Sequence, residues 1–230
     1  MFDTTNFEKI SDHSYIWRGF LDTETAEEAF KESESLSKFF EKEVRPYDKV
    51  QMLGAGMNKK IIAKVEDLFK NTNFQIKYFL HWYTPANTWF GIHRDNEADD
   101  ETPFEKVWSA VIYLADMDGG VLFYPEENLT VKPGKGDMII HHVSCPHGAT
   151  PVSGDNKRTI TFTIYDTSKP VEPTNTSGME NSCVDISSRA HEESVKTHNK
   201  IFTLTNWLNT DIGKAWRKEF NIKDEQLILN

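Results

Sequence analysis

The sequence predicts an α+β protein: a double-sheet β core of jelly-roll type with a helical flank. Two observations carry this. Six short segments rich in β-branched and aromatic residues crowd residues 74–166, separated by sequences such as "DMDGG", "PGKG" and "VSGDN" that favour turns. Ahead of them lie two stretches with helical periodicity. Many short strands with tight turns, preceded by helices, suggest two packed sheets with a helical flank.

The elements follow in order. "SYIWRGFL" (14–21) reads as an aromatic strand. "DTETAEEAFKESESLSKFFEKEV" (22–44) reads as a helix, with Thr25 and Glu28 as a capping box and Ala26, Phe30 and Phe40 near one face. A second helix is expected over 58–71, burying Ile61, Ile62, Val65, Leu68 and Phe69. Strands are expected at 74–83, 106–115, 120–124, 129–133, 137–143 and 158–166. Residues 168–200 are polar and aperiodic and read as a long loop, and 205–220 reads as a last helix. The chain divides into a domain over 1–167 and an extension over 168–230.

Composition narrows the function. The 230 residues suit one core with elaborations, and the net charge of −10 argues against tight binding to nucleic acid. No apolar run approaches the roughly 18 residues that span a bilayer. The first residues lack the order of a signal peptide, and two cysteines, Cys145 and Cys183, make no disulfide framework. A cytoplasmic protein is the expectation.

"GIHRDN" (91–96) carries the chemistry. In extended chain His93 and Asp95 leave the same face with backbones roughly 6.5 Å apart, so both can reach one ion. A histidine and a carboxylate need a distant third ligand to form the 2-His-1-carboxylate set that holds Fe(II) by one face. His147, just past the strand 137–143, is the candidate; His141 and His142 continue that strand on opposite faces and read as packing. Along "RTITFTIY" the period of two puts Arg158, Ile160, Phe162 and Ile164 on one face, and Lys157 and three threonines on the other. Arg158 is therefore expected inside, where its fork suits a carboxylate, and Lys157 outside. A zinc site from His142, Cys145, His147 and Cys183 is a weaker rival, since no C-x-x-C knuckle exists.

"WYTPANTWFGIHRD", "AVIYLADMDGGVLFYP", "VKPGKGDMIIHH" and "PHGATPVSGDNKRTITFTIYD" together resemble the Fe(II)/2-oxoglutarate-dependent oxygenases, most of all their prolyl 4-hydroxylase branch. The resemblance spans about residues 14 to 166. It implies a double-stranded β-helix (jelly-roll, cupin-like) core, with N-terminal helices and a C-terminal helical extension outside it. It implies His93, Asp95 and His147 as the iron triad, Arg158 as the clamp on the distal carboxylate of 2-oxoglutarate, and Tyr113 and Tyr83 as co-substrate contacts. Members of the collagen-modifying type carry a lysine ten residues after the distal histidine, a spacing that Lys157 has; strand alternation favours Arg158 instead.

The reaction so implied couples decarboxylation of 2-oxoglutarate by O₂ to hydroxylation of an unactivated C–H, with ascorbate as a reductant still open. The branch suggests a prolyl residue of a peptide or protein. A free amino acid or other small metabolite is the alternative, and a catalytically silent cupin-like binding module the alternative of another class. The acidic run "DNEADDETPFE" (95–105) suggests a rim that favours a cationic substrate. Neither a nucleic-acid nor a membrane partner is expected, and oligomeric state is open.

Overall fold

Asp22 opens the first helix. In the computed structural model its Oδ1 accepts from the Thr25 backbone N–H at 2.7 Å and its Oδ2 from the Thr25 hydroxyl at 3.0 Å. Thr25 is thus inside the first turn of α1 (Thr23–Leu36) and the expected Thr25–Glu28 capping box gives way to an Asp22 cap, which satisfies a backbone donor the helix leaves unpaired. Ala26, Ala29 and Ser33 form the buried stripe, with Phe30 packed beside it. The helix is shorter than expected, since Glu41–Lys42 is already strand. Asn58 caps α2 (Lys59–Phe69), whose buried residues Ile61, Val65 and Phe69 recur every fourth position. Each contributes roughly 1.5–3 kcal/mol by leaving water.

The structure describes residues 5–37, 41–42, 48–51, 58–88, 90–95, 103–154 and 156–171. The acidic positions 97–101, Cys183 and the helix expected at 205–220 lie outside them.

The strands are β1 (Glu8–Ser11), β2 (Ser14–Trp17), β3 (Glu41–Lys42), β4 (Asp48–Gln51), β5 (Phe74–Thr84), β6 (Phe90–His93) and β7 (Phe104–Tyr113). They continue with β8 (Leu122–Tyr124), β9 (Leu129–Val131), β10 (Met138–His142), β11 (His147–Ala149) and β12 (Lys157–Pro170). All six strands expected from composition form; β1, β3, β4, β6 and β11 are additional. β12 runs past the domain boundary read at residue 167.

Two antiparallel sheets result, of eight strands in the order β1-β2-β10-β7-β12-β5-β4-β3 and four in the order β6-β11-β8-β9. The large sheet has a packed core on each face. Toward the helices, Ile160, Phe162 and Ile164 of β12 meet Ala110, Ile112, Met138 and Ile140, covered by Ala26, Ala29, Ile61 and Val65. Toward the small sheet, Tyr113, Ile139 and Ile16 meet Leu122, Tyr124, Ala149 and Val152. Both faces of β12 are therefore buried, which decides how its polar residues are to be read.

Glycine sets two close approaches. Gly136 lies in the turn before β10 at φ +82°, a conformation only glycine takes freely, and a Cβ there would stand 2.3 Å from the Leu21 carbonyl oxygen. A Cβ on Gly148 of β11 would stand 2.4 Å from Phe123 Cζ.

Candidate active site

β6 and β11 are neighbours in the small sheet, and His93 pairs directly with His147 in their register. Their imidazole centroids are 4.4 Å apart. Asp95 follows β6, held by its backbone N–H donating to the Val143 carbonyl at 2.9 Å. His93 Nε2 is 3.4 Å from Asp95 Oδ1, and His147 Nε2 is 3.9 Å from Asp95 Oδ2. Ligand atoms of all three residues lie within 4.8 Å of one another, so they can converge on one ion.

The protonation states suit a metal. His93 Nδ1 is 2.8 Å from the Gly91 carbonyl and His147 Nδ1 is 3.0 Å from the Cys145 carbonyl. A carbonyl only accepts, so both rings carry their proton on Nδ1, leaving Nε2 with its lone pair toward Asp95. Burial holds the His147 imidazole well below its usual value, reinforced by His141 and His93. Burial works the other way on Asp95, yet the three histidines hold its carboxyl well below the usual carboxylate range. Two neutral imidazoles and one carboxylate are the donor set of a facial Fe(II) site. Arg94, between the ligands, turns outward to Glu126 at 2.8 Å and the Ser144 carbonyl at 2.9 Å.

The expected co-substrate residues divide. Tyr113 is 2% exposed in the core between the sheets, on the face that leads to the metal donors. Arg158 and Tyr83 are not there. They pair in register on the helix-covered face, with the guanidinium carbon 4.5 Å from the tyrosine ring, and Arg158 Nη1 donates to Ser33 O and Oγ of α1, both at 3.1 Å. The face read as the interior of the jelly roll is apolar because two helices cover it.

Lys157 takes the place expected of Arg158. It is 5% exposed, with Nζ 5.1 Å from the ring centroid of Phe90, whose ring lies 6.1 Å from that of His93. Burial alone pushes its ammonium down to about 8, and no carboxylate forms an ion pair with it among the described residues. A buried cation without an anionic partner is costly unless a ligand supplies the charge. The spacing of ten residues from His147 was the signal in the sequence that pointed to it.

His141 also departs from expectation. It is 1% exposed on the inner face, with Nε2 3.0 Å from Asp95 Oδ2, whereas His142 faces out toward Trp108. Cys145 is a buried free thiol, 3.9 Å from Ser14 Oγ and pushed by burial up to about 11. With His142 turned out, it forms no zinc cluster among the described residues.

Residues 78–165 match the family model described as 2OG-Fe(II) oxygenase superfamily. No curated protein sequence matches. Among solved structures, a viral collagen prolyl hydroxylase from Paramecium Bursaria Chlorella virus-1 is similar at TM-score 0.57 and 14% identity, covering 70% of this chain and 98% of its own. A Trichoplax adhaerens prolyl hydroxylase, in complex with a hypoxia inducible factor peptide fragment, is similar at 0.56 and 18%, covering 69% and 86%. The epimerase SnoN, in complex with Fe3+, alpha ketoglutarate and nogalamycin RO, is similar at 0.52 and 20%, covering 67% and 79%. At these identities the likeness is one of fold. Among the described residues, no helix is long and apolar enough to cross a membrane. Residues 78–165, which fall within β5 to β12 and contain His93, Asp95 and His147, are thus similar to the 2OG-Fe(II) oxygenase superfamily, whose cofactors are Fe(II) and 2-oxoglutarate.

Proposed function

We propose that this 2-oxoglutarate-dependent dioxygenase hydroxylates an unactivated C–H of a prolyl residue in a peptide or protein, with His93, Asp95 and His147 as its metal ligands. The observation that carries the site is the convergence of these donors within 4.8 Å on a face that also buries Lys157. When bound, Fe(II) and 2-oxoglutarate supply the activation of O₂.

The chain's own residues do the rest. His93 and His147 present Nε2 because the Gly91 and Cys145 carbonyls hold their Nδ1 protons. Asp95 supplies the negative charge. Lys157 receives the distal carboxylate of 2-oxoglutarate, in the part read for Arg158 from sequence, and the Tyr113 hydroxyl adds a donor from the same face. Burial of Lys157 strengthens that pairing by excluding water.

The prolyl reading rests on the sequence motifs and is supported by the fold shared with prolyl hydroxylases. The fold shared with the epimerase SnoN, in complex with nogalamycin RO, supports a small-molecule substrate as the second reading. The test is incubation with Fe(II), 2-oxoglutarate and a panel of prolyl peptides, free amino acids and small metabolites. Succinate release with a one-oxygen mass gain on a peptide proline, lost in Asp95→Ala, is the expected result. Oxidation only of small molecules overturns the prolyl assignment; silence across the panel favours a binding module.

A further inference from the structure

We propose that His141 is a positioning residue for the Asp95 carboxylate, an inference that rests on the reading of His93, Asp95 and His147 as the ligand set. Three imidazoles crowd this carboxylate. The His141 ring centroid is 3.9 Å from that of His147, closer than His93 is to His147 at 4.4 Å. Proximity alone therefore does not separate a ligand from a neighbour; proton placement does.

His93 and His147 each spend the Nδ1 proton on a carbonyl two residues back and turn a bare Nε2 to the site. His141 is the reverse. Its Nε2 lies 3.0 Å from Asp95 Oδ2, and its Nδ1 is buried without a hydrogen-bond partner among the described residues. An ionised carboxylate has no proton to give, so the proton of this bond is on His141 Nε2. A nitrogen that carries a proton offers no lone pair to a metal, and His141 is left outside the ligand set by its own hydrogen bond.

The bond answers a need of Asp95. Aspartate χ2 is a broad torsion, so nothing in the side chain itself decides which oxygen faces His93. His141 takes Oδ2 and leaves Oδ1 on the His93 side, at 3.4 Å from Nε2. Its own position is rigid. β10 is hydrogen-bonded on both edges, with His141 opposite Ser14 of β2 and Ser109 of β7. The donor is thus fixed by the large sheet, while the carboxylate it orients sits two residues past the end of β6 in the small one. The two sheets are coupled at the point where the site needs them in register.

The full-length metal-free protein and its variants are titrated with Co(II) by calorimetry, with folding followed by circular dichroism. His141→Phe keeps the ring and removes the donor; His141→Gln restores an N–H near the Nε2 position. Loss of such an outer partner weakens metal binding by roughly 10- to 100-fold. That loss is expected in His141→Phe, with recovery to within a few-fold of wild type in His141→Gln. Equal affinity of His141→Phe and wild type overturns the proposal, as does an equal loss in both variants with folding intact. If His141→Phe does not fold, His141→Asn, whose shorter amide does not reach Asp95, replaces it with the same expectation. Wild-type protein without Co(II) affinity, or His93→Ala without loss, refutes the ligand set itself and is a separate outcome.

Discussion

Lys157 and Arg158 are adjacent on β12, both more than nine-tenths buried, and face opposite cores. Lys157 lies over Phe90 toward the metal donors; Arg158 is bonded to Ser33 beneath α1. Under the proposed function, these two cations one residue apart have separate duties, and their variants separate binding from stability.

Lys157→Met is expected to raise KM for 2-oxoglutarate at pH 7 by about two orders of magnitude, the scale of losing one partner of a buried charge pair. The wild type has its own pH signature. Because the free-enzyme ammonium titrates at about 8 rather than near 10.5, kcat/KM for 2-oxoglutarate falls as pH rises through 8, and this limb is absent in Lys157→Met. Stability moves the other way: below pH 8 the folded state carries the buried charge, so metal-free Lys157→Met is more stable by on the order of 3 kcal/mol. Steady-state kinetics and thermal melts over pH 6.5–9.5 check both.

Arg158→Met is expected to leave KM for 2-oxoglutarate within about threefold of wild type and to cost stability. It removes the Nη1 donor from the buried Ser33 hydroxyl and the guanidinium from the Tyr83 ring. A loss of about 1–3 kcal/mol follows from unsatisfied buried groups. A large KM effect with an unchanged melting temperature would return the co-substrate role to Arg158.

His81 is expected to make the fold acid-sensitive. It is fully buried with neither ring nitrogen hydrogen-bonded among the described residues, and burial, with Arg158 nearby, pushes its imidazole down to about 4. The unfolded chain takes up this proton near pH 6.5, so between 6.5 and 4 the unfolded state binds more protons and stability falls as pH falls. The contribution is on the order of 3 kcal/mol across that window. His147 acts with the same sign, so the measurable quantity is a difference. Urea melts of His81→Phe should show a shallower loss of stability from pH 6.5 to 4 than wild type.

Gly148→Ala tests whether the backbone of β11 sets the metal site. The added Cβ meets Phe123 Cζ at 2.4 Å and the Phe90 carbonyl at 3.0 Å, both on the strands flanking β11. Overpacking of this kind costs about 1–3 kcal/mol. Since His147 and His93 meet across the same pair of strands, weaker Co(II) binding should accompany the lower melting temperature.

The sequence by itself determined six strands of the β core, the two helices, and the three residues read as metal donors. Those rest on local chemistry: alternation, helical periodicity, turns, and an H-x-D pair that converges only in extended chain. Period two along β12 correctly split Arg158 from Lys157, but it sorts residues into two faces without saying what covers each. The large sheet is buried on both sides, so the apolar face proved to be the helix side, and the face with Lys157 and its threonines proved to line the jelly roll. The same limit hid His141, which reads as packing until β6, β10 and β11 meet around Asp95. Which face looks inward, and which histidine carries its proton toward the carboxylate, depends on contacts between residues distant in the chain; only the tertiary structure decided them.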